Sequence, residues 1–385
     1  MLKETKMAAY HQMGHHSENL ISDGNLCSYK GAVLSPVNID EERMRVSIAH
    51  RRSDNFEMIF DPQLYFPSTD RGYLPEWSYF PSDVDTAEQS SIRWWRNIVN
   101  RLSGTIERLQ PHAACSPAIV PRVYSNEYYM LNQQVASLLQ ERLARHGIEV
   151  LQTLIVSLSE LSEERRSAEI ASIATSSTVN RVYLVLIADL APRYELQDTN
   201  GIKGAMKLIR YLSSAGVHIL VSFSSSDQLL WKFSGAQDCA TGKFFNLRRF
   251  TPSRFKEPSE GGGQIPYWFE ESLMGYIRES DLERIRRKDL LSRASLSNPF
   301  SIQILEQMET APGKPWLALS WRQYLYWFAD FEFRFSRGEI DANSLLQETE
   351  NRWGQLEEYR ILLEERRNDG SWLRQWRRSL IEAFA

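Results

Sequence analysis

Between residues 56 and 247, short apolar runs rich in Val, Ile and Leu alternate with longer stretches of helical periodicity. That alternation predicts parallel strands joined by crossover helices. The runs fall at residues 56–60, 118–123, 150–158, 182–190 and 217–223, with 244–247 as a sixth candidate. Between the first two, Ile92, Trp95, Ile98, Val99, Leu102, Ile106 and Leu109 recur at three-to-four spacing, the stripe of an amphipathic helix. Further helices are expected at 126–146, 160–175, 200–214 and 225–233, with Gly147 and Gly216 placed as C-terminal caps. Each interval is long enough for one right-handed crossover.

Outside that stretch the pattern changes. Residues 1–50 are polar and weakly periodic, and read as an arm that packs on the main domain or completes its sheet, with a short strand at 45–48. The parallel α/β domain is assigned to 51–256. Gly261, Gly262 and Gly263 mark a turn or linker. Residues 265–385 form a Trp-rich helical region, with apolar spacing through Trp321, Leu325, Phe328, Phe331 and Phe335 and again through Trp353, Leu356, Tyr359 and Leu363.

Parallel strands and crossover helices can close into a barrel or stay an open doubly wound sheet. The Gly-x-Gly-x-x-Gly turn of a dinucleotide fold is missing after the first predicted strand. Residues 235–242 have the character of a late barrel strand that ends in a glycine turn able to admit a phosphate. The expected fold is therefore α/β, a barrel of the TIM type with irregular closure allowed, plus a C-terminal helical subdomain.

Composition narrows the function classes only a little. At 42% hydrophobic and 24% charged, with eleven Trp in 385 residues, the chain is of ordinary globular type. A net charge of -4 gives no global case for nucleic acid or membrane, so local patches must carry any such role. Cys27, Cys115 and Cys239 are odd in number and far apart, which argues against a disulfide framework or a cysteine zinc site. A cytoplasmic location is expected, because the polar N-terminus lacks a signal-peptide core and no run approaches the roughly 18 apolar residues of a membrane helix.

In a parallel barrel the chemistry sits just beyond the C-terminal ends of the strands. The residues there are Asp61 and Gln63, Arg122 and Tyr124, Ser157 and Ser159, Asp189 and Arg193, and Ser222, Ser224 and Asp227. Asp61 and Asp189 follow apolar runs directly and are the candidate catalytic pair, as bases or nucleophiles. Arg122 and Arg193 suit a bidentate grip on phosphate, or else an ion pair with those aspartates. Asp227, in Ser224-Ser225-Ser226-Asp227, offers a helix cap or an anion site. Lys243, Arg248 and Arg249, interleaved with Phe244, Phe245 and Phe250 and followed by Arg254 and Phe255, read as a strip for phosphate and stacked bases, and Arg284, Arg286, Arg287, Lys288 and Arg293 could extend it. His11, His15 and His16 have helical metal spacing without supporting ligands, and are read as a flexible polar terminus.

The function expected from these residues is an enzyme on a phosphate-bearing substrate, most plausibly a nucleotide or nucleic acid, using base-exchange or glycosidic chemistry on paired aspartates. A scaffold or nucleic-acid-binding subunit of a protein complex is the alternative, and a metabolic enzyme for a small phosphorylated compound is a third reading. In the scaffold reading Trp372 and Trp376 would dock a protein partner. No cofactor or metal is indicated.

Overall fold

The computed structural model describes residues 8–26, 28–51, 55–81, 88–255, 264–364 and 369–384. Eight parallel strands close into a barrel in simple sequence order. They are β1 (Ala8–Gln12), β2 (Tyr29–Leu34), β3 (Glu57–Phe60), β4 (Ala113–Cys115), β5 (Glu149–Ser157), β6 (Arg181–Ile187), β7 (His218–Val221) and β8 (Asp238–Thr241). β8 returns to β1 through the pairs Tyr10↔Ala240 and His11↔Thr241, which close the ring. The helices Ile92–Leu109, Asn126–Leu143, Arg166–Thr175 and Thr199–Ser214 lie in the predicted intervals, and Gly147 and Gly216 take the left-handed backbone expected of caps.

Residues 8–51 complete the sheet, the second of the two readings given for the N-terminal arm, by supplying β1, β2 and the helix Glu41–Arg51. Three expectations are corrected by this register. The strand expected at 45–48 lies in that helix, because Met44 and Ile48, four apart, are its buried face. The strand expected at 118–123 is instead Ala113–Cys115, since Pro117 and Pro121 cannot donate to a ladder. Residues 245–247 form a 3-10 turn, and the last strand is Asp238–Thr241, inside the segment already marked as a late barrel strand. Gly261 to Gly263 lie outside the described residues.

The base of the barrel is closed by ion pairs. Arg181 Nη1 reaches Glu57 at 2.6 Å and Glu149 at 2.7 Å, while its Nη2 donates to Glu57 at 2.9 Å and to the Tyr10 hydroxyl at 3.1 Å. Beside them Asp238 is held by Lys30 and by His218 Nε2, the latter at 2.6 Å. The interior above this plug is packed with Ile59, Leu151, Tyr183, Leu220 and Ala240.

The helix Leu317–Ser336 lies against β1, in the place a crossover helix would occupy between the last strand and the first. Tyr29 on β2 donates its hydroxyl to the Leu325 carbonyl of that helix at 2.8 Å. The helix Trp372–Glu382 packs on Thr199–Ser214, with Trp376 Nε1 bonded to the Leu196 carbonyl at 2.9 Å. Trp372 and Trp376, expected as exposed anchors for a partner, are fully buried in this contact. Among the described residues no helix is long and apolar enough to cross a membrane.

Candidate functional site

The C-terminal strand ends open into a cleft of about 590 Å³, built from the loops after β1, β2, β3, β6 and β8 and from residues 317–321. Its basic lining is Arg71, Arg193, Lys243, Arg248 and Arg254 with the imidazole of His15, and no Asp or Glu is among the described lining residues. A second hollow of about 530 Å³ adjoins it and shares His15, Val37, Asn38 and Arg71. The long loop after β3 forms the wall on this side. It folds because its aromatics are buried and anchored: Trp77 Nε1 donates to the Pro36 carbonyl at 3.1 Å and the Tyr79 hydroxyl to the Pro62 carbonyl at 2.7 Å.

The loop after β8 is fixed by Arg248. Its guanidinium carbon stands 3.5 Å from the centre of the Tyr324 ring, with Phe245 and Tyr276 at 5.0 and 5.2 Å. Its Nε and Nη2 donate to the Gly242 and Lys243 carbonyls at 3.0 and 2.9 Å. Cation–π stacking and two charge-assisted bonds therefore set the backbone that carries Lys243. Gly242 does not leave room for a phosphate as the glycine turn suggested. A Cβ there would stand 2.6 Å from the Gln12 carbonyl oxygen, so the glycine permits close passage of β8 over β1.

Lys243 Nζ donates to the His16 carbonyl at 3.2 Å and lies 4.7 and 4.6 Å from the Phe244 and Trp321 ring centres. Burial, with Arg322 adding repulsion, lowers its pKa to about 8. The His15 ring lies against His16, and burial, His16, Lys243 and Arg71 all pull its pKa down. Arg254 enters from the far side, donating to Ser35 Oγ at 2.9 Å and to the Met13 carbonyl at 3.4 Å. Burial lowers its pKa to about 10, so it stays charged at neutral pH.

Beneath this cluster Asp61 is buried. Tyr65 and Tyr183 donate to its Oδ2 at 2.8 and 3.3 Å and the Gln63 amide donates to Oδ1 at 3.0 Å. Burial raises its pKa to about 6, with those hydrogen bonds opposing the rise. Gln63 adopts a left-handed backbone, φ 52°, unusual for a residue with a Cβ, and accepts from Ser35 Oγ at 2.9 Å. Gln12 Nε2, Gln63 Nε2 and Arg254 Nε are buried donors with no protein acceptor among the described residues.

The remaining candidates are not gathered here. Asp189 and Arg122 are exposed on the rim and line neither the cleft nor the hollow beside it, and Asp61 is buried, so the two aspartates do not meet in this site. Ser157 and Ser159 hydrogen-bond each other at 2.7 Å, and Ser222 donates to the Leu184 carbonyl. Asp227 accepts from the Ser225 amide at 2.8 Å and pairs with Arg249 at 3.3 Å, which satisfies it within the protein. Arg249 also faces Glu195 at 3.9 Å, whose pKa burial raises to about 7 against the pull of Arg249.

The expected nucleic-acid strip is not a surface feature. Lys243, Arg248, Arg249 and Arg254 are 5, 4, 4 and 8% exposed, too enclosed to follow a phosphate backbone. Farther along, Arg284 pairs with Asp281, Arg286 with Glu309 and Arg287 with Glu283, which neutralises much of the second basic cluster. His11 is not in a flexible terminus either. It sits in β1, buried edge-on against Tyr29. Among the described residues no group of three or more His, Cys, Asp or Glu is placed to hold a metal ion.

Sequence reading missed Arg71, placed Arg254 in a surface strip rather than a cleft, and left His15 in a flexible polar terminus. Arg71 lies deep in the loop after β3, and Arg254 beyond the last strand, so only closure of β8 on β1 brings them together.

No family model and no curated protein matches the sequence. Among solved structures, an L-ribulose 3-epimerase covers 86% of this chain and 97% of its own at 9% identity and a TM-score of 0.38. A putative sugar phosphate isomerase/epimerase from Anabaena variabilis covers 67% and 92% at 12% identity and 0.34. The carboxyl transferase domain of Rhizobium etli pyruvate carboxylase, with pyruvate, covers 86% and 48% at 8% identity and 0.36. Likenesses this distant say nothing about the chemistry of this chain. Its class, a closed eight-stranded parallel α/β barrel of the TIM type, stands on its own strand register.

Proposed function

We propose that the protein is an enzyme for a small phosphate-bearing substrate held at the C-terminal mouth of the barrel. One observation carries this reading: in a chain of net charge -4, the described residues that line the mouth cleft include five Arg and Lys side chains and no carboxylate. A cleft of about 590 Å³ suits a metabolite rather than a polymer. Arg71 and Arg193 lie toward the loops and would grip the phosphate, while Arg254 and Lys243 face it from the barrel side. Of the groups displaced toward neutral pH by burial, Lys243 lines the cleft and is the one suited to moving protons there. Enclosure of the basic residues favours this reading over a nucleic-acid substrate.

The test is thermal unfolding with inorganic phosphate, pyrophosphate and a short single-stranded oligonucleotide, repeated on an Arg71→Met/Arg193→Met double variant. Stabilisation by pyrophosphate that the double variant loses supports the proposal. Stabilisation by the oligonucleotide alone, or an unchanged response in the variant, overturns it.

A further inference from the structure

The amine of Lys243 is placed unlike the other cations of the cleft. It stands two residues beyond the end of β8, on a backbone that Arg248 holds through both the Gly242 and the Lys243 carbonyls. Its Nζ is bracketed by the Phe244 and Trp321 rings and has one hydrogen-bond acceptor, the His16 carbonyl, which leaves a second face toward the cleft. No carboxylate pairs with it among the described residues, whereas Lys30, Lys203 and Lys232 each have one. Arg322 is turned to Asp23 at 2.7 Å and still repels the ammonium form.

We propose that Lys243 is a covalent nucleophile that forms an imine with a small phosphorylated aldehyde or ketone bound in this cleft. The inference rests on the phosphate-binding reading and adds the carbonyl. The neutral Nζ adds its lone pair to the carbonyl carbon, and the carbonyl oxygen takes up a proton to give a carbinolamine. Loss of that hydroxyl as water, with one N–H proton, leaves the C=N bond. One amine and one carbonyl give one imine and one water, with no change of oxidation state. Burial supplies the reactive form, since an amine that titrates near 8 is neutral at pH 7 roughly three hundredfold more often than an ordinary lysine. The aromatic bracket keeps the amine from swinging into solvent, and the neighbouring arginines take the phosphate charge, so Lys243 need not remain an ammonium to bind it.

The experiment is incubation of the full chain with glyceraldehyde 3-phosphate followed by sodium borohydride, with peptide mass spectrometry of the reduced adduct. Unphosphorylated glyceraldehyde and an excess of inorganic phosphate serve as parallel arms. The expected result is an adduct at Lys243 formed about tenfold faster than at the exposed Lys314, slowed by phosphate and weak with glyceraldehyde. Lys243→Arg should abolish that adduct, and the Arg71→Met/Arg193→Met double variant should slow its formation on Lys243. If phosphate stabilises the protein but Lys243 is labelled no faster than Lys314, the imine is refuted and the anion cleft stands. If neither adduct nor thermal shift is seen, both readings fall.

Discussion

Replacing Arg181 with methionine removes the cation that closes the barrel base while keeping an apolar side chain of similar length. Its guanidinium is 8% exposed and makes a bidentate pair with Glu57, one bond to Glu149 and one to Tyr10. Glu149 is 56% exposed, so its share is a surface pair worth about 0.5 kcal/mol. Glu57 is 23% exposed, and the variant strands its carboxylate beside Tyr10 and close to Asp238. Breaking a buried pair costs roughly 3–5 kcal/mol, and partial exposure places this one at the low end, so the total is about 3 kcal/mol at pH 7. The sign of the pH dependence follows from Glu57. Burial works to raise its pKa, but the bonds and charge of Arg181 hold it below the usual carboxylate value. In the native protein this ionisation stabilises the fold above the unfolded pKa and is lost as pH falls; in the variant it becomes a cost that protonation relieves. Urea unfolding followed by Trp fluorescence should therefore show the native-minus-variant gap shrinking from pH 7 to pH 4.5. A second change, Glu57→Gln, should restore at least half of the loss at pH 7. A gap under about 1 kcal/mol at pH 7, or one that does not change with pH, would refute the view of Arg181 as the plug.

Asp61→Asn tests the buried carboxyl. Because the native pKa is raised to about 6 from 3.8, its ionisation costs stability, and wild type should lose about 3 kcal/mol relative to the variant as pH rises from 3.5 to 7; parallel stability curves would count against this. Gly204→Ala would place a Cβ 1.9 Å from the Leu161 carbonyl oxygen, forcing the helix Thr199–Ser214 off its neighbour at a cost of about 3 kcal/mol in chemical denaturation. Trp376→Ala should cost about 4 kcal/mol, as expected for a fully buried indole whose N–H bonds to Leu196, and a surface-docking tryptophan would instead leave stability unchanged.

Periodicity reports burial, and that explains which strands were legible. β5 and β6 are apolar on both faces, with Leu151, Ile155, Val182 and Leu184 fully covered, and their positions follow directly from the sequence. β1 and β8 direct Tyr10, Gln12, Asp238 and Thr241 into polar contacts, and β4 offers only Ala113, Ala114 and Cys115. Only a glycine turn marked β8, while β1 and β2 looked like arm and β4 like loop. The site suffered the same loss. Asp61 was visible because it directly follows an apolar strand. The anion cleft joins the loops after the first three strands to those after β6 and β8, so it exists only once the ring is closed. Burial of Lys243 and Arg248 was hidden because a cation stacked on an aromatic reads in sequence like one exposed beside it, and that of Arg249 because its partners Asp227 and Glu195 are distant in sequence.

The seam between β8 and β1 has a consequence for how the chain matures on the ribosome. Tyr29 bonds to Leu325, 296 residues downstream, and His11 waits beneath the same helix to be covered. The first strands synthesised must therefore remain without their final neighbours until most of the chain has emerged, exposing an unpaired edge and an apolar face for the whole interval. A nascent chain stalled before residue 317 can form the ring's eight strands but leaves its outer wall open at β1, a feature that chaperones and proteases can recognise.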